Sequence, residues 1–245
     1  MNPSVAAATA ARVLRQLRHD PRTVFLILAV PVVLVTLLKY VFAGRPPVFD
    51  RVGGPLLGLF PFMSMFLVTS ITMLRERTTG TLERLMTMPL AKLDLLLGYG
   101  AGFAVVASVQ AGFLCGIAYG VLDLHTSGPA AAVVPLAVGN AVLGMSFGLF
   151  LSAFAQTEFQ AIQFLPAFVL PQFLLCGLLA PREEMTRVLE LASYALPLTY
   201  AYDALDVVTR TQVYGGWFAV DVAVVAGGTV LALALGALTL RRRTG

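Results

Sequence analysis

Polar residues are sparse in this sequence, and their densest run lies between Leu74 and Leu90. It reads Leu74-Arg75-Glu76-Arg77-Thr78-Thr79-Gly80-Thr81-Leu82-Glu83-Arg84-Leu85-Met86-Thr87-Met88-Pro89-Leu90. Both charge signs alternate there with Leu82, Leu85 and Met86, which are spaced for one side of a short helix. Gly80 loosens the entry to that helix and Pro89 stops it. The chemistry such a segment offers is recognition rather than reaction. It can lie on a membrane surface or dock into a groove of a soluble partner, and the residue types alone favour neither. The two histidines, His19 and His125, are far apart in the chain, and Cys115 and Cys176 sit inside apolar runs. These residues have neither metal-ligand spacing nor a disulfide framework. No H-E-x-x-H occurs, and no G-x-x-x-x-G-K-[S/T] phosphate loop, so the sequence contains no such cradle for ATP.

A second set of candidates is defined by position. Gln110, Asn140, Gln163 and Gln172 are amides within long apolar runs, and Asp221 lies near the start of the last one. Polar groups at membrane depth either join helices by hydrogen bonds or contact something that passes. Phe60, Phe62 and Phe66 in one run, and Phe164, Phe168 and Phe173 in another, could line a path for amphipathic molecules or simply pack. Phe62, Phe66, Gln110, Asn140, Gln163, Phe168 and Gln172 are therefore the candidate path residues.

The elements that must position these groups belong to a bilayer. Of 245 residues 58% are hydrophobic and only 12% charged, about half the charge of a soluble domain. Six apolar segments reach membrane length, roughly 23–41, 55–74, 95–122, 130–154, 161–179 and 217–240. The third is too long to stand perpendicular and must tilt or project. No cleavable leader is visible, so the first span is expected to act as its own insertion signal. Asp20-Pro21, Ser127-Gly128-Pro129 and Thr157 with Gln160 supply helix-start signals for the first, fourth and fifth of these segments.

Basic residues give the spans a direction. With six spans, one side carries Arg12, Arg15, Arg18, Arg22, Arg75, Arg77, Arg84, Lys92, Arg241, Arg242 and Arg243. The other carries Arg45, Arg51, Arg182, Arg187 and Arg210, with Lys39 at a helix end. The excess places both termini in the cytoplasm, and the net charge of +4 reports topology and anionic-lipid contact rather than nucleic-acid binding. Residues 5–19 can form a helix with Ala10, Val13, Leu14 and Leu17 on one side and Arg12, Arg15 and His19 on the other, suited to the cytoplasmic interface. Small residues recur four apart: Gly98 and Gly102; Gly112, Gly116 and Gly120; Gly144, Gly148 and Ser152; Gly228, Ala232 and Gly236. Such ridges let helices approach closely, within one subunit or between subunits. The stretch 180–216 is too long for a turn. Met185, Val188, Leu189 and Ala192, then Tyr202, Leu205 and Val208, predict two short helices parted by Pro197.

The run Arg75 to Glu83, followed by Met88-Pro89-Leu90 and Leu95-Leu96-Leu97-Gly98, resembles the signature of ABC-2 type permeases, E-x-x-x-G-T-L-E-x-L and then a proline and a leucine-rich span. Glu76 and Glu83 fall at its acidic positions. Glu158, Gln160 and Ala161, Pro166 and Pro171, Gly177 and Pro181, then Leu196-Pro197-Leu198-Thr199-Tyr200 with Asp203-Ala204, resemble the family's later marks. The likeness runs in order over about 10–240 and is nearest to the daunorubicin-resistance-type branch.

This resemblance implies one all-α transmembrane domain over 1–245, with an interfacial helix in 1–22, a coupling segment in 75–92 and an extracellular segment in 180–216. It implies that Arg75, Glu76, Gly80, Thr81, Leu82, Glu83, Leu85 and Pro89 contact an ATPase subunit. Pro197, Thr199, Tyr200 and Asp203 would form the extracellular gate. The function implied is export of a hydrophobic or amphipathic, drug- or lipid-like substrate across the plasma membrane. The chain itself would bind no cofactor, and ATP and Mg would be held on separate ATPase chains. A second permease, identical or related, would complete the pathway. The alternative, an ATP-independent secondary transporter or channel, calls for ionisable residues inside the spans, and these have almost none.

Overall fold

The structure, a computed structural model, describes residues 3–86, 92–211 and 215–239, and these residues contain helices and no strand. Of the expected contact residues, Pro89 lies outside the described residues. The helices are α1 (Pro3–Arg18), α2 (Pro21–Val41), α3 (Pro46–Thr78), α4 (Thr81–Met86), α5 (Lys92–Gly120), α6 (Ala130–Leu151), α7 (Glu158–Phe164), α8 (Leu170–Leu175), α9 (Arg187–Ser193), α10 (Pro197–Arg210) and α11 (Gly216–Thr239).

Five of them, α2, α3, α5, α6 and α11, are long and apolar enough to cross a membrane. The segment expected to span at 161–179 is built differently. There α7 passes through a π-helical turn, Leu165–Val169, into the short α8. Pro166 and Pro171 explain the interruption. Each lacks an N–H and its ring crowds the carbonyl four residues back, so the coil widens and the Leu170 N–H reaches Leu165 O. The run still joins the two ends of the bundle. Glu158 starts it beside Arg75, and Gly177, just beyond it, packs against the Tyr202 ring of α10.

Helix starts follow the local chemistry. Asp20 accepts from the Thr23 N–H at 3.1 Å and the Thr23 hydroxyl at 2.6 Å, capping α2 with Pro21 in its first turn. Thr157 accepts from Gln160 N at 3.2 Å, and Gln160 returns an acceptor to Gln156 N at 2.8 Å. At α6 the expectation differs from the outcome. Pro129 is the cap and makes no side-chain cap bond, while the Ser127 N–H bonds Thr209 O at 2.8 Å and ties the loop to α10.

The core is the seam of α3 against α6. A Cβ added to Gly144 would lie 2.2 Å from Phe62 O, and one at Gly148 would lie 2.4 Å from Phe66 O. The two backbones therefore touch, and the Thr69 hydroxyl bonds Met145 O across the seam at 3.1 Å. The ridge of Gly98 and Gly102 serves a different partner, α1, whose Thr9 and Val13 press onto the two glycines. Gly112, Gly116 and Gly120 face open space. Helix α2 buries only Ile27, Pro31 and Val35, leaving Phe25, Leu26, Val33 and Leu37 exposed outward. Helix α10 buries Leu198, Ala201, Tyr202, Leu205 and Val208 against α3, α6 and α11, and α9 leaves Val188 and Leu191 exposed.

Candidate functional site

The polar run anticipated at 75–90 begins inside α3, which at 33 residues is about 50 Å long and overshoots a bilayer core. Its final turns meet α1 and α5. Glu76, only 6% exposed, accepts from Arg12 at 3.3 Å and from Gln16 at 3.1 Å. Arg12 also donates to the Tyr99 hydroxyl and stacks over that ring at 5.3 Å. One carboxylate thus joins three helices. A charge this deep needs such partners, because desolvation without them costs several kcal/mol. The resemblance implies an ATPase contact for Glu76, and the sequence puts Arg12 on the polar side of an interfacial helix; here the two residues pair with each other.

Beyond Glu76 the chain turns through Gly80, whose φ of +73° lies in the left-handed region open to glycine, into α4. Leu82 points back into the core with Val13, Leu95 and Tyr99. Arg75, Thr78 and Thr79 are exposed and Thr81 is half-buried. Arg75 forms a fork with Glu158, 2.7 and 3.0 Å, which holds that carboxyl below its ordinary range. The pair brings the 75–86 segment beside the α6–α7 connection, so both loops lie at one end of the bundle. Glu83 and Leu85 belong to α4. A cleft of about 410 Å³ opens between α1, α2 and α3, lined by Gln16, Asp20, Thr72, Arg75, Glu76 and Thr81 among others.

The candidate path residues are not gathered into one lumen. Phe62 and Phe66 are buried in the α3–α6 seam. Phe168 stacks near Phe66, with ring centroids 6.3 Å apart, and meets Phe147 edge-on at 5.2 Å. Gln110 donates to Ile27 O at 2.8 Å and to Ser64, clasping α2, α3 and α5. Gln172 is buried and donates to Phe168 O at 3.2 Å within the π-turn region. Gln163 is exposed. Asn140 is buried where α6 meets α3 and α10. A string with hydrolase-like G-x-S-x-G spacing, Gly144-Met145-Ser146-Phe147-Gly148, lies in the middle of α6. Ser146 is buried and donates to Val142 O at 2.8 Å, without the strand-to-helix turn a nucleophile of that type requires.

Away from the α1 end, Pro197 starts α10 beside Gly228 of α11, the Thr199 hydroxyl bonds Ser193 O at 2.8 Å and the Tyr200 hydroxyl bonds Tyr194 O at 2.8 Å. Asp203 pairs with Arg182 at 2.8 Å, and Arg182 covers the Tyr194 ring. Burial raises the Asp203 carboxyl to about 6 even beside that guanidinium. The four expected gate residues therefore share one helix that is latched to the segment following α8. His125, whose N–H bonds Asp50 at 3.0 Å, belongs to this end, far from His19 in the α1–α2 turn.

The family description for the ABC-2 type transporter matches residues 4–209, from α1 to the end of α10. This chain belongs to the ABC-2 type transporter family. As an ABC-2 chain with five helices of membrane length, it is an all-helical multi-pass membrane protein. It is 27% identical over 148 residues to the probable multidrug ABC transporter permease YbhR of Escherichia coli (strain K12), covering 60% of this chain and 40% of that protein. It is 28% identical over 147 residues to ABC transporter G family member 20 of Dictyostelium discoideum, covering 60% of this chain and 20% of that protein. The aligned stretch thus spans less than half the length of either relative.

Proposed function

We propose that this chain is the membrane-embedded permease of an ATP-driven exporter that moves a hydrophobic or amphipathic, drug- or lipid-like substrate outward. In this reading the interrupted run 158–175 is the fifth of six spans. The α1 end of the bundle is cytoplasmic, and the membrane is the plasma membrane. Separate ATPase chains hold ATP and Mg and engage the protein at α4 and the exposed turn around Arg75, Thr79 and Thr81. A second permease, identical or related, completes the pathway, and membrane lipids surround the pair. Helix α10, with Pro197, Thr199, Tyr200 and Asp203, serves as the outer gate.

The observation that carries this reading is the Arg12–Glu76–Gln16 junction. It welds the end of α3 to α1 and, through Tyr99, to α5, so a push on α4 reaches two spans together. A transport cycle needs a bistable bundle biased from outside, and a short helix hung on such a junction is a suitable handle. Co-expression with the ATPase encoded nearest to this chain tests it. Glu83→Lys is expected to lower co-purified ATPase at least tenfold and abolish efflux, with the chain still inserted. Unchanged association and unchanged efflux would overturn the assignment.

A further inference from the structure

The chain between α8 and α9, residues 176–186, has no α-helix and only a short 3₁₀ turn at Arg182–Glu184. Hydrogen bonds around that turn are local, from Glu184 N to Pro181 O at 3.1 Å and from Met185 N to Arg182 O at 3.0 Å. The segment leaves α8 through Gly177, whose φ of +104° lies in the region that favours glycine. It is held to the bundle by packing and by charge. Gly177 packs on the Tyr202 ring, Leu178 joins the apolar cluster that contains Tyr202, and Arg182 pairs with Asp203 of α10 at 2.8 Å. Arg182 also covers the Tyr194 ring, 5.4 Å from its centroid. The paired side chains keep only 18% and 23% exposure, so this pair depends far more on both charges than a surface pair does. A second carboxylate stands beside it. Helix α11 runs antiparallel to α10, with Gly228 against Pro197 and Val222 along the same groove as Ala204. That register puts Asp221 within electrostatic reach of both Asp203 and Arg182. Asp221 is 7% exposed and accepts no hydrogen bond among the described residues.

We propose that residues 176–186 form a strap hinged at Gly177 and latched to α10 by the Arg182–Asp203 pair, and that a proton taken up by Asp203 releases it. Every charged or titratable group around Asp203 bears on that latch. Arg182 faces it from the strap, with the Tyr194 ring beneath the guanidinium, and Cys176 lies toward it from the end of α8. Asp221 faces it from α11, and Asp206 follows it on α10. Asp206 is itself held by Arg210 at 2.7 Å and by the Tyr202 hydroxyl at 3.4 Å, with Arg51 of α3 nearby. Asp203 and Asp221 therefore share the Arg182 guanidinium, and two carboxylates so placed do not both ionise freely. Burial raises the Asp203 carboxyl to about 6, with Asp221 and Asp206 adding to the rise and Arg182 opposing it. Above that pH the carboxylate is charged and the latch holds. As pH falls through it, Arg182 loses its counter-charge and the strap swings on Gly177, a local opening that leaves the rest of the bundle in place. The latch belongs to the chain alone. Its use at an outer gate rests on the reading of α10 given above, and strap opening is measured without transport.

The two cysteines supply a reporter and its control. Cys176, next to the hinge, is fully buried and reports on the strap, whereas Cys115 is buried in the α5 core and reports on the bundle. The full chain in detergent micelles is pulsed with N-ethylmaleimide across a pH series, and alkylation at each cysteine is read by peptide mass spectrometry. Each rate is divided by that of the chain unfolded in SDS at the same pH, which removes the thiol's own pH dependence. The Cys176 ratio is expected to rise about tenfold from about pH 7.5 to about pH 5, with its midpoint near 6, while Cys115 stays protected. Asp203→Asn and Arg182→Gln are expected to leave Cys176 reactive throughout the series. Asp221→Asn removes a like charge and is expected to lower the midpoint by about half a pH unit, a shift that a merely structural role would not produce. A Cys176 ratio independent of pH, protection of Cys176 in Asp203→Asn, an unmoved midpoint in Asp221→Asn, or exposure of Cys115 in step with Cys176 would overturn the proposal.

Discussion

Glu76 brings a formal charge into a seam of three helices, and its value depends on what meets it there. Arg12 lies 3.3 Å away and Gln16 3.1 Å away, and the Arg12 side chain keeps 26% exposure. Fully buried pairs lose about 3–5 kcal/mol when one partner is removed, mostly from the charge left behind. Partial solvation of Arg12 lowers the expectation for Glu76→Ala to about 2 kcal/mol. The double change Arg12→Ala with Glu76→Ala is expected to cost less than the two single changes added together, because neither stranded charge remains. Denaturant unfolding in detergent micelles measures all four corners of that cycle. By contrast, the exposed fork of Arg75 with Glu158 is expected to contribute well under 1 kcal/mol, and its value lies in locating two loops side by side.

Among the helices, the same residue type does opposite things at similar spacing. At Gly144 and Gly148 a side chain would collide with the α3 backbone, a neighbour that cannot rotate away. At Gly98 it would collide with Thr9 and the Ala6 carbonyl of α1. At Gly112 and Gly116 nothing stands in the way. Three substitutions are therefore expected to behave in three ways. Gly144→Val should prevent a stable bundle from forming. Gly98→Val should leave the spans intact and release α1, detected as new protease cleavage within residues 3–18. Gly112→Ala should change neither, and as a better helix former should gain a few tenths of a kcal/mol to about 1 kcal/mol. Loss of the bundle in Gly112→Ala would mean that the apparently open face is packed.

Taken whole, the bundle gathers its polar contacts at two ends. Asp20, Arg75, Glu76 and Glu158 cluster at one, and Asp50, His125, Arg182 and Asp203 belong to the other. That division makes a sidedness experiment decisive. Exposed positions at the first end, Thr78→Cys and Gln156→Cys, are expected to resist a membrane-impermeant maleimide in intact cells and to react in inverted vesicles. Asp123→Cys and Val188→Cys, at the second end, are expected to react in intact cells. Labelling of one member of each pair from the same side would break the six-span arrangement, starting with the interrupted run 158–175.

Hydropathy and period were enough to reveal the five long apolar helices, α1 and the short helices α9 and α10, because burial in lipid or against a neighbour imposes a repeat that any window of residues displays. Asp20 and Thr157 announced their caps for the same local reason. Pro166 and Pro171 were visible, but their consequence, a π-turn in place of a regular span, depended on how the coil could relax around two missing donors. What a residue faces is not a local property. The sequence placed Glu76 and Leu82 in one amphipathic segment ready for a partner, and only the packing of α1 across α3 and α5 turned both inward. Four glycine ridges looked alike as strings. The tertiary structure made one a backbone seam, one a helix dock and one an open face, and left Gly228 and Gly236 in ordinary contact with Leu143, Pro197, Leu96 and Phe150, because a glycine's role is set by the atoms that occupy the space its missing side chain leaves.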